Sequence, residues 1–165
     1  MKLDIKIGFG FDVHPFAEER KLILGGVEIP SERGLEGHSD ADVLLHAISD
    51  AILGALSLGD IGQHFPNTDE KWKGVSSSVI LAHCYSLIKK QGYRISNIDS
   101  MLAIEAPKIS PFIEKIKNNV SNILEISPNQ ISVKATTTEK LGFVGRAEGV
   151  VAMATVLLIK SDLDV

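Results

Sequence analysis

The stretch LDIKIGFGFDVH, residues 3 to 14, alternates without a break. Leu3, Ile5, Ile7, Phe9, Phe11 and Val13 are apolar, and Asp4, Lys6, Gly8, Gly10, Asp12 and His14 stand between them. A period of two sends successive side chains to opposite faces, so the alternation predicts a β-strand. The two glycines leave their face open to close approach by another backbone or a ligand. Asp12 and His14 are two apart and leave the strand on that same face.

The next chemical run is GHSDADVLLHA, residues 37 to 47. From Asp40 to Leu58 the apolar residues Val43, Leu44, Ala47, Ile48, Ala51, Ile52 and Ala55 follow a helical period. Ser39 or Asp40 is the expected cap, and Gly59 the stop. Asp42 and His46 are four apart and share one stripe of this helix. Asp12, His14 and His46 thus offer three ligands to one metal ion and leave a fourth position open, which is the pattern of a catalytic zinc. Taken singly, each has a plainer explanation as a solvated strand residue or an ordinary helical histidine; the dense HSDAD run is what joins them. Carboxylates are expected behind the far imidazole nitrogens, and Asp42 and Asp50 lie one turn either side of His46. His38 and Ser39 precede the helix, where exposed amides favour a phosphate; the plainer alternative is that Ser39 only caps.

Working outward, Lys21 to Pro30 reads as a hairpin turning at Gly25-Gly26. Ser31 to Ser39 is a loop, and Asp60 to Lys73 has turn residues without a period. A second helix runs from Ser76 to Gln91 and carries Cys84 among apolar neighbours. Tyr93 to Ala106 is a strand ended by Pro107. Ser110 and Pro111 open a third helix, with Ser110 as cap, that runs to Glu125. Ile131 to Thr137 is a strand leading into Thr136, Thr137, Thr138, Glu139 and Lys140, where hydroxyls and an ammonium suit phosphate oxygens and the carboxylate suits Mg²⁺. Leu141 to Arg146 is a glycine-containing loop, and Arg146 is a bidentate phosphate donor or a surface residue. Gly149 to Lys160 is nearly all apolar and is expected to be buried on both faces. His64 and His83 belong to no cluster. The order predicts an α/β protein of α+β type. A single catalytic domain over residues 1 to 165 would hold a mixed β-sheet with helices packed on one face.

At 165 residues the chain is one domain long, and 44% apolar with 23% charged residues is ordinary globular composition. A net charge of −4 without a block of like charges gives no electrostatic reason for nucleic acid or a membrane surface as partner. No apolar run reaches the ~18 residues of a membrane span. Cys84 is the single cysteine, so no intrachain disulfide forms, which fits a reducing compartment; with no leader pattern in the sequence, a cytoplasmic or already processed protein is expected.

The segments KIGFGFDVHPF, LILGGVEIP, GHSDADVLLHAISDAILGA, LGDIGQHFPNTD, APK and VKATTTEKLGFVGRAEG follow one another between residues 6 and 149. In that order they resemble the 2-C-methyl-D-erythritol 2,4-cyclodiphosphate synthases of the methylerythritol phosphate route to isoprenoids. The resemblance implies a homotrimer with active sites between neighbouring subunits. Asp12, His14 and His46 would hold one Zn²⁺ per subunit, and Glu139 a Mg²⁺ or Mn²⁺ between the α- and β-phosphates of the substrate. His38 and Thr137 would be catalytic, stabilising the transition state, with His38 and Ser39 on a mobile loop over the substrate. Asp60 and Gly62, with Ile61 between them, would meet the ribose. The run Ile104, Glu105, Ala106, Pro107, Lys108, Ile109 and Ser110 would form the cytosine pocket, largely through backbone. Phe65, Pro66, Asn67, Thr68, Asp69, Phe143 and Arg146 would complete the substrate contacts, together with Val13, Thr136 and Thr138.

The implied substrate is 4-diphosphocytidyl-2-C-methyl-D-erythritol 2-phosphate, whose 2-phosphate attacks the β-phosphorus and expels CMP. An isoprenoid diphosphate on the trimer axis, near Arg146 and Glu148, is a further implied partner. The chain departs from the family pattern at Lys6, where arginine is common, at Ala41, where glycine is common, and at Glu105, where glutamine is frequent. Two other readings use the same residues: a zinc-dependent phosphohydrolase releasing a linear product, and a non-enzymatic trimer that binds nucleotides or isoprenoid diphosphates.

Overall fold

The computed structural model describes residues 4–66, 68, 69, 72 and 74–161. Leu3, Asn67 and Lys73, which the sequence reading had included, lie outside the described residues. Along the chain come β1 (Ile5–Ala17), β2 (Leu22–Leu24), β3 (Val27–Ile29), β4 (Gly34–Leu35), α1 (Val43–Ala55), α2 (Ile61–His64), α3 (Ser77–Lys90), β5 (Tyr93–Ala103), α4 (Ile113–Leu124), β6 (Ile131–Thr136), α5 (Gly142–Gly145) and β7 (Gly149–Lys160). Five strands form a mixed sheet in the order β4-β1-β7-β5-β6. All its neighbours are antiparallel except β5 and β6, which run parallel from Ile98↔Ile131 to Ala103↔Thr136. The predicted hairpin is present as β2 and β3, paired Leu22↔Ile29 to Leu24↔Val27. No helix among the described residues is long and apolar enough to cross a membrane.

The glycines of β1 decide how the layers meet. A Cβ at Gly8 would lie 1.8 Å from the Ala51 carbonyl oxygen, and one at Gly10 would lie 1.9 Å from that of Ala47. The backbone of α1 therefore lies directly on the glycine face of β1, and α1 buries Leu44, Ala47, Ile48, Ala51 and Ile52. The apolar residues of β1 point the other way. Ile7 is 68% exposed, Phe9 62% and Phe11 54%, an inversion of the usual apolar-inward pattern. Thr155 is exposed, and Met153, Leu157 and Ile159 are half-buried. They pair with Phe9, Phe11, Ile7 and Ile5 and share that outer face. The last strand is thus not buried on both faces as expected: α1 covers one face and no described element covers the other along these residues.

Helix boundaries also shift. The helix predicted over residues 40 to 58 spans Val43–Ala55. Its cap is Asp42, which accepts from the amides of Leu44 at 3.2 Å and Leu45 at 3.1 Å. The same carboxylate accepts from Gly25 N at 2.9 Å and Gly26 N at 2.5 Å, tying the β2–β3 turn to the start of α1. Complete burial pushes the Asp42 carboxyl up to about 6 against these amide bonds. Ala41 turns the chain with φ 57, a left-handed conformation that costs a non-glycine residue ~1–2 kcal/mol; that is what the glycine-to-alanine departure meets here. Ser110 does not cap the third helix: a 3₁₀ turn over Ser110–Phe112 leads into α4 without a side-chain cap. Residues 141 to 146, read as loop, contain the single turn α5. Cys84 is fully buried, and burial pushes its thiol up to about 12, so it is an inert core residue.

Candidate metal and phosphate site

Packing α1 onto Gly8 and Gly10 carries His46 over the end of β1. His46 Nδ1 stands 3.0 Å from Asp12 Oδ2, His14 Nε2 stands 3.0 Å from the same oxygen, and the two nitrogens are 3.2 Å apart. A tetrahedral zinc with ligands at ~2.0–2.1 Å requires ligand atoms ~3.3 Å from one another, so this triangle has the size of one face of such a site. One carboxylate oxygen and two imidazole nitrogens are also donors that suit it. The structure thus brings together the three residues that the sequence spacing singled out.

The far nitrogens are held as well, although not by the residues expected. His14 Nδ1 lies 2.6 Å from the Glu36 carbonyl, which makes it the protonated nitrogen and leaves Nε2 free to coordinate. His46 Nε2 donates to Ser77 Oγ at 2.9 Å, and Ser77 in turn donates to Asp40 Oδ1 at 2.5 Å. Asp42 and Asp50 take no part: Asp42 caps α1, and Asp50 accepts from Ile61 N at 2.8 Å. Helical spacing alone placed them one turn from His46, but both are engaged by backbone amides. Ser77, at the start of α3 and 31 residues from His46, carried no local signal. Ser77→Ala is expected to lower metal affinity ~10–100-fold, measured by chelator competition, because His46 loses the contact that fixes its tautomer.

Electrostatics among these three residues favours a cation. Burial pushes the Asp12 carboxyl up, but the hydrogen bonds and charge of His14 and His46 outweigh it and hold it at about 2. Burial pulls His14 down, while Asp12 and the Glu36 carbonyl together raise it above its usual value.

A cleft of about 760 Å³ opens from these residues. Gly37, His38 and Ser39 line it, as do Ile61, Gly62, Phe65, Pro66, Thr68 and Asp69. Trp72, Val75 and Ile80 complete its wall, and sequence reading missed them because apolar residues in a loop and a helix carry no chemical signature. Phe65 meets Trp72 edge-on at 4.8 Å and His83 at 5.2 Å, so His83 stands nearer the cleft than its isolation in the sequence suggested. Asp60 caps α2 by accepting from Gln63 N at 2.9 Å. Val13 points to the opposite, outer face, 42% exposed.

The second group of predicted residues lies elsewhere on the same sheet end. Ala103 pairs with Val151 and Thr136, and Val151 pairs with Val13, so Thr136 is three strands from Val13. At ~4.8 Å per strand that is ~14 Å. No residue from 104 to 110 or 136 to 146 lines the cleft among the described residues. Within this group Thr137 Oγ1 donates to Glu139 Oε1 at 2.7 Å. Glu105 accepts from Thr138 N at 2.9 Å and Lys140 N at 3.2 Å, bracing the turn in which Glu139 and Lys140 both have positive φ. Those two amides hold the Glu105 carboxyl below its usual value. Ile104 and Ile109 are buried, whereas Ala106, Lys108 and Ser110 are exposed and Pro107 is half-buried. Phe143 is 41% exposed, and Arg146 is engaged by Glu148 at 2.8 and 3.1 Å.

The model of the YgbB family matches residues 5–159. The 2-C-methyl-D-erythritol 2,4-cyclodiphosphate synthase of a Nostoc species is 57% identical over 162 residues, which cover 98% of each chain. Among solved structures, the IspF–CDP complex of Plasmodium falciparum superposes with a TM-score of 0.85 at 39% identity, covering 98% of this chain and 100% of that one. The bifunctional IspDF of Campylobacter jejuni gives a TM-score of 0.94 at 44% identity; the match covers 98% of this chain and 44% of that longer one.

Proposed function

Since the chain belongs to the YgbB family, we infer that it performs the cyclodiphosphate synthase reaction of the methylerythritol phosphate route, a lyase-type release of a nucleotide. The substrate is 4-diphosphocytidyl-2-C-methyl-D-erythritol 2-phosphate, and the products are 2-C-methyl-D-erythritol 2,4-cyclodiphosphate and CMP. The observation that carries the reading is the Asp12–His14–His46 triangle in the lining of a cleft formed by strand, helices and loops of the same chain. A CDP complex of a similar fold adds the nucleotide half.

The nucleophile in this reaction is already a phosphate oxyanion, so the site needs no strong base. It must bring anions together and neutralise them. Zn²⁺ on Asp12, His14 and His46, and Mg²⁺ or Mn²⁺ at Glu139, supply Lewis-acid charge neutralisation when bound. The remaining work falls to the chain. His38 and Ser39, which line the cleft, would meet the phosphate, and the Thr137 hydroxyl, whose one proton goes to Glu139 in this structure, would turn that proton to the charge that develops as CMP leaves once Glu139 holds the metal. Ile104 to Ser110 take the cytosine through backbone groups, and Asp60 to Gly62 take the ribose. Pro66, Thr68 and Asp69 would border the substrate beside Phe65, with Phe143, Thr138 and Arg146 approaching from the other half.

Those two halves are ~14 Å apart across one sheet. A homotrimer would let the Thr136–Glu139 turn of one subunit complete the cleft of its neighbour, and the outward apolar residues Ile7, Phe9 and Phe11 are the surface such packing would bury. The trimer axis is the place for an isoprenoid diphosphate. The whole chain is then one catalytic domain acting in the cytoplasm on a small cytidine nucleotide. Thr137→Val is expected to lower kcat ~10²–10³-fold with an unchanged sedimentation coefficient, read by CMP release and ultracentrifugation. An unchanged rate would remove its hydroxyl from the mechanism.

A further inference from the structure

Arg20 lies in the turn between β1 and β2, outside the cleft, yet its guanidinium reaches the loop that carries His38. Nη1 donates to the Gly37 carbonyl at 3.0 Å, and Nη2 donates to the Ser39 carbonyl at 2.7 Å. The two carbonyls flank His38 on either side. The His38 carbonyl is taken by Gly74 N at 3.0 Å, and the preceding carbonyl, of Glu36, by His14 Nδ1 at 2.6 Å. Four consecutive carbonyls, from Glu36 to Ser39, are thus each held by a donor from a distant segment. The loop is also tight inside its bend: a Cβ at Gly37 would stand 2.9 Å from the Ala41 Cβ. Through these contacts the backbone around His38, which is exposed and lines the cleft, is tied to the segments of His14, Arg20 and Gly74.

We propose that Arg20 is a positioning residue: its planar fork clamps the carbonyls on both sides of His38 and sets that side chain's place over the reacting phosphate. The proposal rests on the reading that His38 acts on the substrate. Arginine suits the task because two terminal nitrogens in one plane satisfy two carbonyls at once, whereas a lysine ammonium is a single point on a flexible stem. Among the described donors to these four carbonyls, Arg20 alone holds two of them.

The test is a double-mutant cycle on the metal-loaded enzyme, with CMP release as the assay. Arg20→Ala is expected to lower kcat about 10–100-fold, the scale of a misplaced catalytic group, with KM moving less than about threefold and metal content unchanged. Arg20→Lys is expected to recover little of the loss, and added guanidinium ion to recover part of it in Arg20→Ala but none in the parent. In a His38→Ala background the Arg20→Ala effect is expected to shrink to less than about twofold, since the group being positioned is gone. Amide exchange at residues 37 to 40 is expected to speed up in Arg20→Ala. An equal loss of kcat in both backgrounds, or unchanged exchange at residues 37 to 40, would overturn the proposal. A His38→Ala enzyme as fast as its parent would instead overturn the assignment of His38, and the exchange rates would then judge the latch by themselves.

Discussion

His46→Ala is expected to yield a folded chain that retains no zinc after dialysis and turns over at least ~10³-fold more slowly, because two ligands do not hold a catalytic ion that three do. Asp12 and His14 leave the same strand face and remain in place, so the loss isolates the helix's contribution to the triangle. Zinc content by elemental analysis and CMP release are the paired readouts, with circular dichroism to confirm the fold. Full activity in a zinc-free His46→Ala chain would contradict the site as described. The buried position of His46, 6% exposed and bonded to Ser77, adds a structural cost, so His46→Gln serves as a second variant of more similar volume.

The second large effect lies in the layer contact rather than the chemistry. Gly10→Ala places a methyl carbon 1.9 Å from the Ala47 carbonyl oxygen, and the positions of both are fixed by regular backbone that cannot turn aside. Helix α1 must lift, at a cost expected to exceed ~3 kcal/mol, which for a domain of this length is a fall in Tm of ~6–12 °C. The same shift pulls His46 from Asp12 and His14, so metal affinity is expected to fall together with stability. Thermal melts of the two proteins with and without zinc measure both. An unchanged Tm would mean that strand and helix tolerate separation, contrary to the geometry described.

These two residues show where the sequence was legible. Periods of two and 3.6 marked β1 and α1, and the glycines on one face of β1 announced a close neighbour. From there Asp12, His14 and His46 converge because the strand and helix that bear them must touch. What local pattern did not reveal was the direction of the apolar face. Ile7, Phe9 and Phe11 alternate as core residues would, but the smaller glycine face won the helix, because only it admits the α1 backbone. Contacts of long range were equally silent. Ser77 behind His46, Arg20 beneath the His38 loop and Trp72 in the wall have no spacing that ties them to the site. Asp42 and Asp50 had the spacing and were claimed by backbone amides instead. The six motif segments, by contrast, make the family legible from the sequence alone, since their order along the chain is far more specific than each alone.

The central claim is that the triangle and its cleft serve cyclisation rather than hydrolysis. Its most direct test is phosphorus NMR of 4-diphosphocytidyl-2-C-methyl-D-erythritol 2-phosphate incubated with the purified, metal-loaded protein. The account predicts CMP and a cyclic diphosphate in equal amounts, formed together as the substrate disappears. A linear phosphate product, or no CMP at all, would contradict it.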